Sequence, residues 1–220
     1  MAEKYGVIPP KFTKAWWGYF WEYYKWHVIG GLFVIICVVT TAVQCATREK
    51  YDITVTYAGN LPFDTETQDK IEEALSPFVD DIDEDGKQSV FFQSLTISGA
   101  KGQEQYDMAV MTKLDLEFQN DCSNIFLHSP DQLDRMLSRD YVGDSYVPVD
   151  EWGVDVGDRE IKTGSDGVGY AVNVSDSKLF KDLGLTLNDT YIVLKGNYKD
   201  DDKNKAGYES ALKIIAEILK

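Results

Sequence analysis

The sequence has few cysteines, histidines and basic residues, and each shortage excludes a class of protein. Its 220 residues include three Cys, two His, and 22 Lys and Arg against 37 Asp and Glu, a net charge of −15. Beyond position 50 the only cysteine is Cys122, so this region has no internal disulfide and is not a disulfide scaffold. Because so acidic a chain repels phosphate backbones, nucleic-acid binding is excluded as its main activity.

Motifs for enzymatic chemistry are absent as well. The sequence contains no GxSxG, CxxC or HExxH motif and no phosphate-cradling glycine loop. A nucleophile paired with histidine would have to use His128, and both Cys122 and Ser129 lie too close to it in sequence to face it. We read His128 as a polar residue at a strand end and Cys122 as a small buried hydrophobe. We therefore expect a protein without enzymatic activity or an organic cofactor.

One long apolar run is present near the N-terminus. It reads VIGGLFVIICVVTTAV from Val28 to Val43, and uncharged neighbours extend it to the roughly 20 residues that cross a bilayer. This predicts a transmembrane helix over residues 28–46, since no polar face recurs at helical spacing as in a buried core helix. A cleavable signal peptide is disfavoured because 27 residues precede the run. Lipidation of Cys45 is disfavoured because Gln44 replaces the small residue such sites require.

Charge asymmetry predicts the orientation of this helix. Residues 1–27 carry four Lys and two Glu, whereas residues 50–220 carry 17 basic and 34 acidic residues. The positive-inside rule places the N-terminus in the cytoplasm and residues 50–220 outside the cell. We expect a single-pass protein of the cell membrane.

An aromatic segment precedes the apolar run. Between Trp16 and Trp26, eight of eleven residues are Trp, Tyr or Phe, and such rings favour the lipid headgroup region. This predicts an interfacial belt within a cytoplasmic tail of residues 1–27, formed as a short helix lying along the membrane. A docking face for another membrane protein is the alternative.

Alternating strand-like and helix-like segments follow residue 50. The predicted strands are Tyr51–Ala58, Ser89–Ile97, Asn124–Leu127, Gly169–Val174 and Tyr191–Leu194. Helices are predicted over Thr65–Val79, from Met108 to Asn120, after Ser129-Pro130, over Ser177–Leu183 and over Tyr208–Leu219. Residues 141–166 are predicted to be irregular. We expect an α/β domain over residues 50–220, with a mixed, mostly parallel sheet covered by helices.

Several of these segments resemble, in the same order, type II periplasmic (extracytoplasmic) solute-binding proteins. They are YDMAVMTKLDLEFQNDCSNIFL, SPDQLDRML, GVGYAVNVSDSKLFKDLGL and TYIVLKGN. The arrangement of span and domain is similar to membrane-anchored proteins of Gram-positive Firmicutes. The resemblance covers most of residues 51–219 and implies a fold like one lobe of a periplasmic-binding protein, a two-lobed fold that closes on a solute.

The ends of the predicted parallel strands are candidate ligand-binding positions. In open α/β sheets, ligands bind beyond the carboxyl ends of the strands. Here those ends carry Gly59, Asn60, Ser98, His128 and Ser129. We expect a small-molecule or peptide ligand at these positions if they enclose a cleft.

An acidic turn is the candidate metal site. Asp81, Asp83 and Asp85 precede Gly86 with the alternate spacing of the first half of an EF-hand loop. The twelfth position, which should supply a bidentate Glu, is Phe92. The turn is therefore either a weak Ca²⁺ site that fills at millimolar concentration or a solvated acidic turn, and we favour the second.

Two functions agree with these features. The first is a membrane-tethered binding or sensing module that presents or reports a ligand. The second is an accessory or scaffold subunit of a membrane protein complex, with the aromatic belt docking a membrane partner. An open cleft at the strand ends would favour the first function, and filled strand ends would favour the second.

Overall fold

A computed structural model describes residues 9–46, 50–119, 123–139, 145–196 and 202–220. The chain divides into two compact units, Met1–Lys50 and Tyr51–Lys220. Cys122 and part of the irregular segment lie outside the described residues, and so does the side chain of Cys45.

The first unit is built on one helix, α1, spanning Lys14–Ala46. It contains both the apolar run and the aromatic segment, so the boundary predicted at residue 28 is not a helix boundary. Phe12 precedes α1, and Thr13 accepts a hydrogen bond from the Trp16 N–H through its Oγ1 at 3.2 Å, which caps the first turn. The helix is long and apolar enough to cross a membrane.

The second unit is an α/β domain with six strands in the described residues, which confirms the predicted class. The strands are β1 (Ile53–Gly59), β2 (Val90–Thr96), β3 (Ile125–His128), β4 (Ile161–Thr163), β5 (Gly169–Asn173) and β6 (Tyr191–Leu194). They form one sheet in the order β2-β1-β3-β6-β5-β4. The helices are α2 (Thr65–Leu75), α3 (Glu104–Gln119), α4 (Pro130–Leu137), α5 (Lys178–Asp182) and α6 (Asp202–Ile218).

The sheet is mixed, as expected, but the expectation of mostly parallel pairing is wrong. Strands β2, β1 and β3 pair in parallel. The β3–β6, β6–β5 and β5–β4 pairs are antiparallel. The short helix α5 does not cross the sheet, so the chain leaves β5 and enters β6 at the same edge. A crossover that returned to the opposite edge would have made this pair parallel.

Helices cover both faces of the sheet. On one face, α2 and α6 pack on alternate apolar residues of the strands, including Val55, Phe92 and Leu127. Trp152 is buried in the same cluster and donates its indole N–H to the Val147 carbonyl at 3.1 Å. This face forms the larger core cluster.

On the opposite face, α3 and α4 pack over a second cluster that includes Leu114, Phe126 and Met136. An ion pair joins the two helices, since the Asp115 carboxylate lies 3.1 Å from the Arg135 guanidinium. The domain is therefore a three-layer arrangement of helices, sheet and helices.

Candidate functional site

Gly59 and Ser129 meet at the ends of β1 and β3, and the space beside them is filled. A Cβ atom on Gly59 would stand 2.4 Å from the Tyr57 hydroxyl oxygen and 3.0 Å from the Ser129 Cβ. The Tyr57 hydroxyl also accepts a hydrogen bond from the Leu61 N–H at 3.1 Å, which fixes the ring over the strand end. Next to Gly59, Asn60 is exposed.

His128 lies at the same strand end but is completely buried. Its Nε2 is 3.4 Å from the Tyr146 hydroxyl, and within the described residues its Nδ1 has no hydrogen-bond partner. Burial, and secondarily the charge of Arg135, lowers the pKa of His128 to about 3. The imidazole is therefore neutral in the folded protein and has no exposed atom to offer a ligand in solution.

Ser98 belongs to the loop before α3. The buried Asp107 carboxylate accepts hydrogen bonds from the backbone N–H groups of Ser98 at 3.0 Å and Gly99 at 2.8 Å. This arrangement fixes the loop to the helix, and Ser98 itself is exposed. The structure thus brings Gly59 and Ser129 together, and His128 lies at the same strand end but is buried. Ser98 is not part of this group and belongs to the loop before α3.

Two of the three aspartates predicted as metal ligands lie together, and a third carboxylate from another segment joins them. Oxygen atoms of Asp52, Asp81 and Asp83 all lie within 4.8 Å of one another. Asp85 is outside this group, and its carboxylate accepts the Lys87 N–H at 2.8 Å. Oxygen ligands in this arrangement suit a hard divalent cation such as Ca²⁺.

Asp52 already holds the turn in place through backbone hydrogen bonds. Its carboxylate accepts the N–H groups of Ile82 at 2.6 Å and Ser89 at 2.8 Å. Sequence reasoning missed Asp52 because it lies about thirty residues before the turn. The pairing of Ile53 with Val90 brings the two segments together, so a correct β1–β2 register was the signal that could have revealed it.

A cavity opens at the same edge of the sheet, over its antiparallel half. His128 at the end of β3 pairs with Tyr191 at the start of β6, and Tyr191 pairs with Asn173 at the end of β5. The end of β5 therefore lies at the edge where β1, β2 and β3 also end. The cavity has a volume of about 660 Å³ and is lined by Asp155, Val156, Gly157, Asp158, Arg159, Glu160, Asn173, Ser175, Asp176, Asp189 and Leu219.

Arg159 joins two walls of this cavity. Its guanidinium donates to the backbone carbonyl of Asn173 at 3.3 Å and to that of Leu219 at 3.2 Å. The first carbonyl ends β5, and the second follows the last turn of α6, where a cation also compensates the helix dipole. Arg159 therefore has a structural task in addition to its place in the lining.

The lining is strongly acidic. Five carboxylates and a single guanidinium contribute to it. Glu160 accepts hydrogen bonds from the Lys162 ammonium at 3.1 Å and the Tyr191 hydroxyl at 3.0 Å, and these two contacts lower the pKa of Glu160. Several carboxylates around one concave surface create a negative potential that attracts cations.

Comparison of the chain with protein-family models, curated proteins and solved structures finds no match. Sequence reasoning did not identify the cavity, because its walls come from the region before β4, the end of β5, the loop before β6 and the end of α6. Only the density of acidic residues around Asp155 and Asp158 marked the region.

Proposed function

We propose that this protein is a membrane-tethered extracytoplasmic binding module, without catalytic activity, that takes up a positively charged small molecule or peptide. The observation that carries the proposal is the acidic cavity at the strand-end edge of the sheet. Ligands of open α/β sheets bind beyond the carboxyl ends of the strands. A volume of about 660 Å³ falls within the usual range for ligand cavities.

The charge of the lining indicates the class of ligand. Two of the five lining carboxylates already pair with lysines, Glu160 with Lys162 and Asp176 with Lys181, each at 3.1 Å. The other three, Asp155, Asp158 and Asp189, have no ion-pair partner among the described residues. These three would repel an anionic ligand, and an uncharged ligand would desolvate them without pairing them. A cationic ligand satisfies them through charge-assisted hydrogen bonds. The resemblance to extracytoplasmic solute-binding proteins supports the same class of function.

The tether is the second part of the proposal. The apolar part of α1 crosses the cell membrane, the N-terminal residues lie in the cytoplasm, and residues 50–220 stand outside. The length and composition of α1 support the crossing, and the positive-inside rule supports the direction.

An accessory or scaffold subunit is the other candidate, and one observation favours it. The Tyr57 ring occupies the space beside Gly59 at the end of β1, so the parallel half of the sheet offers a filled surface at that position. In that case the domain presents a rigid surface to a membrane protein, and the acidic cavity has no ligand.

Calorimetric titration of the full chain in detergent with spermidine, a small trivalent cation, separates the two candidates. The test variant combines Asp155→Asn with Asp158→Asn in the cavity. The matched control combines Glu84→Gln with Asp85→Asn in the exposed acidic turn, which removes the same charge elsewhere. The amide introduced by Asp155→Asn keeps an oxygen that can accept the Gly157 N–H, which the Asp155 carboxylate now binds at 3.0 Å.

The binding module predicts that the wild type and the turn control bind spermidine alike and that the cavity variant binds at least about tenfold more weakly. Equal weakening in both variants would show that spermidine responds only to the net charge. The absence of binding by the wild type would favour the scaffold function.

A further inference from the structure

Three charged residues and Gly18 in the N-terminal half of α1 form a stripe along one side of the helix, which we call the polar stripe. Lys14, Gly18, Glu22 and Lys25 follow one another at intervals of four, four and three residues, which places them on one face. The eight aromatic residues between Trp16 and Trp26 occupy the remaining arc, about 220° wide at 3.6 residues per turn. We call this the aromatic arc.

The rings of the aromatic arc stack along the helix. The ring centroids of Trp16 and Phe20 are 5.3 Å apart, and those of Phe20 and Tyr24 are 5.4 Å apart. Trp17 and Trp21 nevertheless remain more than half exposed, at 55% and 57%. Stacking restricts the side chains of Trp16, Phe20 and Tyr24 before they meet any partner, so covering this part of the arc costs little further side-chain entropy.

The length of α1 decides what surrounds this arc. Its 33 residues measure about 50 Å at 1.5 Å per residue, whereas a bilayer measures about 30 Å across its hydrocarbon core and about 40–45 Å with its headgroups. An upright helix would extend Trp16 and Trp17 into water. A tilt of about 40°, at the upper end of the range for transmembrane helices, shortens the helix to about 38 Å along the membrane normal and keeps it within the bilayer.

We propose that α1 crosses the membrane at a steep tilt, with the aromatic arc facing lipid and its N-terminal part in the headgroup layer. This inference rests on the membrane tether of the proposed function. In a tilted helix one side faces the acyl chains and the other side faces the membrane surface. The polar stripe is the side that faces the membrane surface. Lys14 and Lys25 then extend their ammonium groups toward lipid phosphates and water.

Lipid fits the arc better than a partner protein does. A partner helix contacts a narrow seam, whereas lipid surrounds more than half of a helix. Trp and Tyr also combine an apolar ring with a polar group, as the headgroup layer requires.

The test measures the depth of Trp16 in the full chain reconstituted into phosphatidylcholine vesicles. Trp17, Trp21 and Trp26 are replaced by Phe, so that Trp16 reports alone in the helix. The signal of the buried Trp152 is subtracted with a variant that also carries Trp16→Phe, which leaves the folded core unchanged. Lipids brominated near the headgroup or in mid-chain serve as membrane quenchers, and iodide on both sides of the vesicle is the aqueous quencher.

The steep tilt predicts that lipid brominated near the headgroup quenches Trp16 and that iodide does not reach it. A parallel variant that retains only Trp26 should respond to mid-chain bromine. Quenching of Trp16 by iodide but by neither brominated lipid would overturn the proposal and assign the arc to a protein partner. If Trp26 also failed to respond to brominated lipid, the membrane tether itself would be wrong, so the two failures are distinguishable.

Two matched variants test the rotation of the helix. Phe20→Lys places a positive charge at the centre of the aromatic arc, whereas Gly18→Lys places the same charge on the polar stripe. Phe20→Lys should expose Trp16 to iodide at least several-fold more, and Gly18→Lys should leave it shielded. Equal exposure in the two variants would contradict the lipid-facing arc.

Discussion

At the scale of single residues, the buried imidazole of His128 couples the stability of the domain to pH. Its pKa falls from the ordinary 6.5 to about 3 in the folded protein, because burial and then the charge of Arg135 disfavour the protonated form. Between these two values the unfolded chain binds the proton and the folded chain does not. The stabilising contribution of neutral His128 is therefore complete above pH 6.5 and is lost as the pH falls toward 3.

His128→Phe should remove this part of the pH dependence. Phe keeps a planar ring against Phe126, whose centroid lies 5.6 Å from that of the imidazole. Below pH 6.5 the unfolding free energy of the wild type should fall by about 1.4 kcal/mol per pH unit relative to the variant. Urea unfolding between about pH 7.5 and 4.5 measures the difference, and parallel pH profiles for the two proteins would refute this origin.

The carboxylates of Asp52, Asp81 and Asp83 predict a small effect of calcium on stability. A cation among them would relieve their mutual repulsion, but Asp52 already accepts backbone hydrogen bonds from Ile82 and Ser89. Millimolar calcium should therefore raise the melting temperature slightly in the wild type and less in Asp83→Ala. An equal rise in both proteins would show general screening of the acidic domain instead of a site.

At the scale of elements, the outer edge of the sheet depends on Glu72. Strand β2 is the first in the sheet order, and the Glu72 carboxylate on α2 accepts the Phe92 N–H at 2.8 Å. An unblocked edge strand exposes backbone groups that can pair with another chain. This side chain therefore both joins α2 to the sheet and protects the edge.

Glu72→Ala should lower the unfolding free energy by about 1–3 kcal/mol, because it leaves the Phe92 N–H without this acceptor. It should also increase self-association as measured by light scattering. The neighbouring Glu73→Ala is the control, since Glu73 is exposed. If both variants behave alike, Glu72 does not protect the edge.

The sequence predicted the locations of most elements, and local chemistry explains the differences at their boundaries. The helix expected over Thr65–Val79 ends at Leu75, and a short 3₁₀ turn with Pro77 follows it. Pro77 lacks the N–H that would continue the α-helical pattern. Strand β4 was not expected, because Ile161–Thr163 is too short to show a strand period.

Strand direction and the cavity could not be predicted in the same way. A strand, a helix and a strand follow one another in sequence whether or not the connection crosses the sheet, so the antiparallel β5–β6 pair has no local signature. The cavity depends on this pairing, since it brings Asn173 and Asp189 to one edge near Leu219. The predicted candidates Gly59 and Ser129 lie at that edge of the sheet, but at the parallel strands β1 and β3, and they do not line the cavity.

At the scale of the whole molecule, the charge of the chain bears on the proposed placement of the α/β domain outside the membrane. Residues 50–220 carry 17 basic and 34 acidic residues, a net charge of −17, and the proposed outside location keeps this charge away from the anionic inner leaflet. The same location gives the cavity access to ligands from the surroundings of the cell. The side of the membrane on which residues 50–220 stand therefore decides which ligands can reach the cavity.

Protease treatment of intact protoplasts that express the full chain with an N-terminal epitope tests this placement most directly. We expect added protease to degrade residues 50–220 and to leave a protected membrane fragment that carries the epitope and α1. Lysed protoplasts provide the control, in which the epitope is also lost. Protection of the entire chain in intact protoplasts, followed by its degradation after lysis, would contradict the outside location of the domain.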